Sequence, residues 1–182
     1  MKHITAFIIL FSVSFQLLAG PDGAVKPFTI GAGTYASAIT YDDPYLKDDE
    51  LGGLALSFGY AVSDNIAFRG TLFSLEHDDL SSLESKGYDL LAHFGTGLAT
   101  HGFKIYGGVG LFSEKWELGS VSEKFNGLQL SGGLGYNWDH VALDLIIGLR
   151  GASDYEEIVN QVTPYNVSAA AVSGSLLLSY RF

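Results

Sequence analysis

The chain has 182 residues, no cysteine, and 20 Asp and Glu against 10 Lys and Arg, a formal net charge of −10. Without thiols it has no disulfide, no thiolate-bound metal and no lipoprotein attachment site. The acidic balance argues against nucleic acid and heparin-like polyanions, which need basic patches. With 23 Gly and 13% aromatic residues, helical periodicity is hard to find, and Gly at this density weakens helices. An all-β fold is the reading that remains.

Met1-Lys2-His3 form a short basic head, and an apolar run from Ile4 to Leu18 leads to small Ala19 and Gly20, then Pro21. That layout predicts a secretory signal peptide over residues 1–19, with a cut as late as 24, because the run is short for a spanning helix. The remainder of about 160 residues fits one domain, assigned to residues 27–182. It contains no second long apolar run from which to build a transmembrane helix.

Period-two alternation then predicts eight strands. The first, about Phe28 to Tyr41, carries Gly, Ala and Thr in both registers, so its facing is open. The second, Leu51 to Val62, sets Leu54, Leu56, Phe58 and Tyr60 against Gly53, Ala55, Ser57 and Gly59. Ser63-Asp64-Asn65 is a turn, and the third strand, Ile66 to about Leu75, points Arg69 and Thr71 inward. The fourth, Gly87 to Leu98, sets Tyr88, Leu90, Phe94 and Leu98 outside and Asp89 and His93 inside. After Ala99-Thr100-His101-Gly102 the fifth places Phe103, Ile105, Val109 and Leu111 outside, with Lys104 and Tyr106 inside. The sixth shows Leu128, Leu130, Leu134, Tyr136 and Trp138 on one face and Gln129, Ser131 and Gly133 on the other. After Asp139-His140 the seventh, Val141 to Arg150, directs Asp144 and Arg150 inward. The eighth, from about Val167, ends Leu178-Ser179-Tyr180-Arg181-Phe182.

The bulky side chains share one face of these strands, and Gly, Ala, Ser and isolated charges share the other. An eight-stranded barrel has an interior only wide enough for side chains to fill. Small residues therefore belong inside and the Leu, Ile and Phe outside, where they meet lipid. The expected architecture is an eight-stranded antiparallel up-and-down transmembrane barrel. Connections near 63–65, 99–102 and 139–140 are short; those near 42–50, 76–86, 113–125 and 152–165 are long. Short turns face the periplasm and long loops the exterior in such barrels. Tyr60, Phe68, Phe103, Tyr136, Trp138, Tyr180 and Phe182 form the expected aromatic girdle at the short-turn end. An upper girdle is expected from Tyr41, Tyr88, Phe112, Trp116 and Phe125.

With the strands placed, the chain resembles the small eight-stranded outer-membrane proteins of the OmpX/Ail/Opa kind over nearly all of the mature length. The resemblance is carried by Phe58-Gly59-Tyr60-Ala61-Val62-Ser63-Asp64-Asn65-Ile66-Ala67-Phe68-Arg69-Gly70, by Ile105-Tyr106-Gly107-Gly108-Val109-Gly110-Leu111, and by the terminal Tyr180 and Phe182. It implies a monomer in the Gram-negative outer membrane, contacting its lipids and lipopolysaccharide. It also implies assembly by the barrel-assembly machinery through the last strand. Leu177 departs from the family pattern, which often has Gly five residues before the final Phe.

Arg69, Lys104 and Asp144 fall near the short-turn ends of their strands, and Asp89, Glu114 and Arg150 lie higher. Together with His93 these form an expected interior network, because an unpaired buried ion costs several kcal/mol. A lipid-modifying acyl transfer would need a nucleophile beside a base. The candidate groupings are His77 with Asp78 and Ser81, or His93 with Ser131, while His101 and His140 sit in turns. No cofactor, metal or catalytic residue is assigned. The expected function is non-enzymatic: envelope integrity and surface interaction or adhesion through acidic loops. A low-conductance pore is the runner-up and a lipid A-modifying enzyme the third reading.

Overall fold

The computed structural model describes residues 26–43, 46–78, 82–162 and 167–182. The expected signal peptide lies outside the described residues. Eight strands make a closed antiparallel barrel in chain order. They are β1 Phe28–Tyr41, β2 Asp49–Ala61, β3 Ile66–His77, β4 Leu83–Thr96, β5 Gly102–Leu118, β6 Val121–Asn137, β7 Val141–Arg150 and β8 Ala169–Arg181, with α1 Ser153–Val162 preceding β8. Closure is made by β1 against β8, from Thr29 opposite Arg181 to Tyr41 opposite Ala169. Phe28 and Phe182 exchange backbone hydrogen bonds of 3.1 and 3.0 Å. The terminal strand thus has both edges paired, which removes the fraying and edge-pairing hazards of a free end.

Alternation decides facing throughout. Leu54, Leu56, Phe58, Leu90, Leu111, Leu130, Ile147 and Leu178 all stand exposed on the outer wall. An apolar surface of this extent exceeds what soluble proteins leave to water, and it fits a lipid-facing band. Inside, Gly and Ser make room. A Cβ on Gly133 would lie 2.4 Å from the Tyr106 ring, and one on Gly108 would lie 2.4 Å from Ser131 Oγ. β1, whose sequence leaves the facing open, turns Tyr35, Ser37 and Ile39 inward and Phe28 and Ile30 outward. Leu177, the one large apolar side chain among the inward Ala, Ser and Arg residues of β8, is fully buried opposite Gly33.

Several expectations are corrected. The 113–125 connection is not a loop: β5 and β6 stay paired from Glu114–Phe125 up to Leu118–Val121. The hairpin closes at Gly119, whose φ of 61° suits a residue without a Cβ. Lys115, Glu117 and Lys124 make this stretch look like loop, yet the β5–β6 ladder continues through it, with Trp116 and Phe125 packed inward and Glu123 exposed across from Trp116. The 152–165 connection contains α1, whose first turn carries Asp154 and Glu156, charges that suit a helix N-terminus. β4 begins at Leu83 and ends at Thr96. Gly97 at φ 76° turns the chain, so Leu98 packs against the core instead of facing lipid.

The upper girdle is also corrected. Tyr88 faces outward, but Phe112 and Phe125 are buried, and Tyr41 and Trp116 pack against the core. Even-numbered residues of β5 and odd-numbered ones of β6 point inward at this level, which takes these rings off the lipid face. At the other end Tyr60, Phe68, Phe103, Trp138 and Phe182 are exposed, and Tyr136 and Tyr180 are half-buried. Phe28 joins them, 4.9 Å from the Tyr60 ring and 5.8 Å from that of Phe182.

Candidate functional site

The barrel interior is filled by two ionic layers and an aromatic cap. In the layer nearer the short turns, Asp144 on β7 receives Arg69 Nη2 from β3 at 3.1 Å and Lys104 Nζ from β5 at 2.9 Å. The Tyr106 hydroxyl donates to its other oxygen at 2.6 Å. One carboxylate thus faces two cations and a phenol, with all three donors delivered by inward positions on β3 and β5. His93 joins this layer by packing against Tyr106, ring centroids 4.7 Å apart and tilted by 39°, and makes no ion pair among the described residues.

The second layer is organised by Arg150 on β7, whose side chain is 0% exposed. Its Nη2 donates to Asp89 Oδ1 and its Nη1 to Glu114 Oε2, each at 3.0 Å. Nε donates to Gln129 at 3.1 Å, and Nη2 also reaches the Tyr35 hydroxyl at 2.6 Å. Tyr35 in turn donates to Asp89. The planar fork of a guanidinium supplies five donors in fixed directions, which a lysine could not match here. Above and beside it lie the rings of Phe112, Phe73 and Tyr35, at 4.6, 5.2 and 5.5 Å from the guanidinium carbon. The expected network residues Asp89, Glu114 and Arg150 are therefore in direct contact, as are Arg69, Lys104 and Asp144.

The cap is made by residues beyond that list. Tyr155 of α1 enters the barrel mouth and is buried. Its hydroxyl donates to Glu114 Oε1 at 2.6 Å, beside Trp116 Nε1 at 2.9 Å on the same oxygen. Burial, reinforced by the Glu114 carboxylate, pushes the Tyr155 hydroxyl up from its ordinary value, so it remains a neutral donor. Phe125 stacks on Tyr155 at 4.4 Å and packs against Trp116 at 5.1 Å. At the opposite end Arg181 of β8 is buried and donates to the carbonyls of Trp138 and Ala99. The sequence signals Arg181 by its place in the inward register. Nothing local signals Tyr155, because the loop containing it gives no hint of folding back into the mouth.

The His93–Ser131 grouping forms no nucleophile–base pair. His77 Nε2 lies 3.3 Å from Asp49 Oδ1 across the β2–β3 ladder, and Ser81 lies outside the described residues. His93 and Ser131 flank Gly108 in one row of the sheet. His93 Nε2 and Ser131 Oγ are both buried and without a hydrogen-bond partner, so they do not bond to each other. His101 lies 3.9 Å from Asp139 at an exposed turn, and His140 stacks on Tyr180. Among the described residues there is no cluster of three or more His, Asp or Glu that could hold a metal ion.

No protein-family model matches the sequence, and no curated protein matches it. Solved structures match the fold. Ail, the attachment invasion locus protein of Yersinia pestis, superposes with a TM-score of 0.59 at 17% identity, covering 87% of this chain and 100% of that one. A second Ail structure, with a TM-score of 0.53 at 19% identity and covering 88% and 99%, carries the heparin analogue sucrose octasulfate. Neisserial surface protein A gives a TM-score of 0.60 at 16% identity, covering 85% and 97%. The outer membrane protein OprG from Pseudomonas aeruginosa gives 0.55 at 16%, covering 88% and 98%. The chain has the fold of the small eight-stranded outer-membrane barrels.

Proposed function

We propose that this chain is a non-enzymatic barrel of the Gram-negative outer membrane whose working surface is the loop end. The carrying observation is the Arg150 layer beneath the Tyr155 cap: the lumen is occupied by paired charges and rings rather than left as a passage. An eight-stranded wall leaves no room for an aqueous channel beside such contents. The exterior is apolar and belongs in hydrocarbon. The features that differ most from a plain barrel are the β5–β6 hairpin tip and α1, both at the loop end.

The fold neighbours include a protein whose name records attachment and invasion and another named as a surface protein, which supports a surface role. The ligand class does not carry over. One Ail structure holds a polysulfated sugar, whereas the rim here carries Asp42, Asp43, Asp48, Asp49, Glu50, Asp78, Glu117, Glu123, Asp154, Glu156 and Glu157. Such a rim repels polyanions and selects cationic or neutral partners.

Attachment assays test the reading. Cells displaying the full chain are compared with cells displaying variants that shorten the hairpin at 117–122 or replace α1 by a flexible turn. The expected result is reduced attachment for at least one variant, with heat-modifiable folding retained. Undiminished attachment in both folded variants contradicts a surface role for the loop end. The pore reading has one observation in its favour, the unpartnered His93 Nε2 and Ser131 Oγ inside the lower layer, and bilayer recordings decide it.

A further inference from the structure

Above the aromatic cap, the inward sides of β1, β2, β4 and the β5–β6 hairpin leave a cavity of about 220 Å³ at the barrel mouth. Its walls are the rings of Tyr41, Trp116, Phe125 and Tyr155 and the aliphatic Leu83, Leu118 and Val121, with Asp49 and Glu123 among them. The volume falls below the roughly 300–1,000 Å³ of pockets that take drug-sized ligands, so the occupant must be compact. The rings are inclined to one another: Trp116 meets Phe125 at 56° and Tyr155 at 50°. They bound a corner and do not form one closed stack. Aromatic faces carry negative potential and attract cations, tryptophan most strongly.

The charges point the same way. Asp49 is fixed by the Tyr41 hydroxyl at 2.8 Å and by its 3.3 Å contact with His77. Glu123 stands directly across the ladder from Trp116. The cations of the same hairpin, Lys115 and Lys124, face each other on its other side, and Lys115 is engaged by Glu117 at 2.6 Å. Arg150, deeper in the barrel, is matched by Asp89 and Glu114. An anion entering this cavity would meet two carboxylates and the negative faces of the rings. A neutral apolar group would use the rings and aliphatic walls but make no use of the Glu123 carboxylate.

We propose that this cavity binds a compact organic ammonium group, presented either as a free alkylamine or as the end of a lysine side chain on a partner. The proposal rests on the loop end being the working surface, and it names the chemistry that surface recognises. Cation–π contact would hold the head against Trp116, and Glu123 would supply the counter-charge at the rim.

The test uses the full folded barrel in detergent with Trp138→Phe, which leaves Trp116 as the sole indole. It is titrated with n-butylammonium, with neutral 1-butanol, and with sodium chloride at matched ionic strength. The expected result is a saturable change in Trp116 emission with butylammonium alone, weakened about fivefold or more by Glu123→Gln. Equal responses to butanol, no saturable response, or an affinity unchanged by Glu123→Gln would overturn the proposal. A lysine-containing peptide then separates the two sources. Competition with butylammonium assigns a protein partner, and binding of the free amine alone assigns a small molecule. If butylammonium fails to bind while the hairpin and α1 variants still lose attachment, the cavity proposal falls and the surface reading stands.

Discussion

Tyr155 donates a 2.6 Å hydrogen bond to Glu114 Oε1, so a helix inserted between two strands is fastened to a carboxylate of the barrel's interior. Glu114 in turn accepts from Arg150, which links the mouth to the ionic layer below. Removing only the hydroxyl, by Tyr155→Phe, keeps the stacking on Phe125 and leaves Glu114 short of one donor. The expected cost is about 1–3 kcal/mol, seen as a lower urea midpoint for unfolding and faster proteolytic nicking within α1. Unchanged nicking would mean that α1 is held by something else.

Arg150 is the keystone of the upper layer, because its loss strands two carboxylates at once. Arg150→Met is expected to destabilise the folded barrel by about 3–5 kcal/mol, the scale of leaving a buried charge uncompensated. Adding Asp89→Asn and Glu114→Gln to Arg150→Met should restore a large part of that loss. If the triple variant is no more stable than Arg150→Met alone, packing against Phe112 and Phe73 outweighs the charge balance.

The facing of the wall is testable at two neighbouring glycines. Nothing lies within 4 Å of where a Cβ on Gly132 would sit, whereas on Gly133 it would strike the Tyr106 ring at 2.4 Å. Gly132→Leu is therefore expected to fold and show normal heat-modifiable migration, and Gly133→Leu to lose it. Equal behaviour of the two would contradict the assignment of inside and outside.

These contrasts show what the sequence made legible. Strand facing follows from period two, so Arg69, Lys104, Asp144, Asp89, Glu114 and Arg150 can all be placed inside before any coordinates are known. Their pairing needs the ladder register, which alternation does not supply by itself. The hairpin tip and α1 were hidden for different reasons. Charged Lys115, Glu117 and Lys124 mimic a loop where the strands rise beyond the hydrocarbon band. Tyr155 is a long-range contact with no local signature. Phe112, Phe125 and Trp116 show the same limit: aromatic composition suggests a girdle, but strand parity directs these rings into the mouth.

At the short-turn end, Asp64 between β2 and β3 caps the neighbouring β4–β5 turn. It accepts from the Thr100 hydroxyl at 2.7 Å and from the backbone N–H groups of Gly97, Ala99 and Thr100 at 3.1, 3.3 and 3.1 Å. The Thr100 hydroxyl first, with the backbone N–H groups adding to it, holds this carboxyl below the usual aspartate range, against a smaller opposing effect of burial. A depressed folded-state pKa gives a stability contribution that is present above the ordinary aspartate pKa and lost as pH falls through the folded value. The stability difference between the wild-type chain and Asp64→Asn should thus be largest near pH 7 and shrink toward pH 3. A difference that is constant across that range would contradict the cap.

The central claim is that this lipid-facing barrel is closed inside by its Arg150 and Asp144 layers, with function confined to the mouth. Planar-bilayer recording of the folded full chain tests it most directly. The account predicts no reproducible unitary conductance from the wild-type protein. Discrete current steps that change when Arg150 or Asp144 is substituted would contradict it and make the lumen a path.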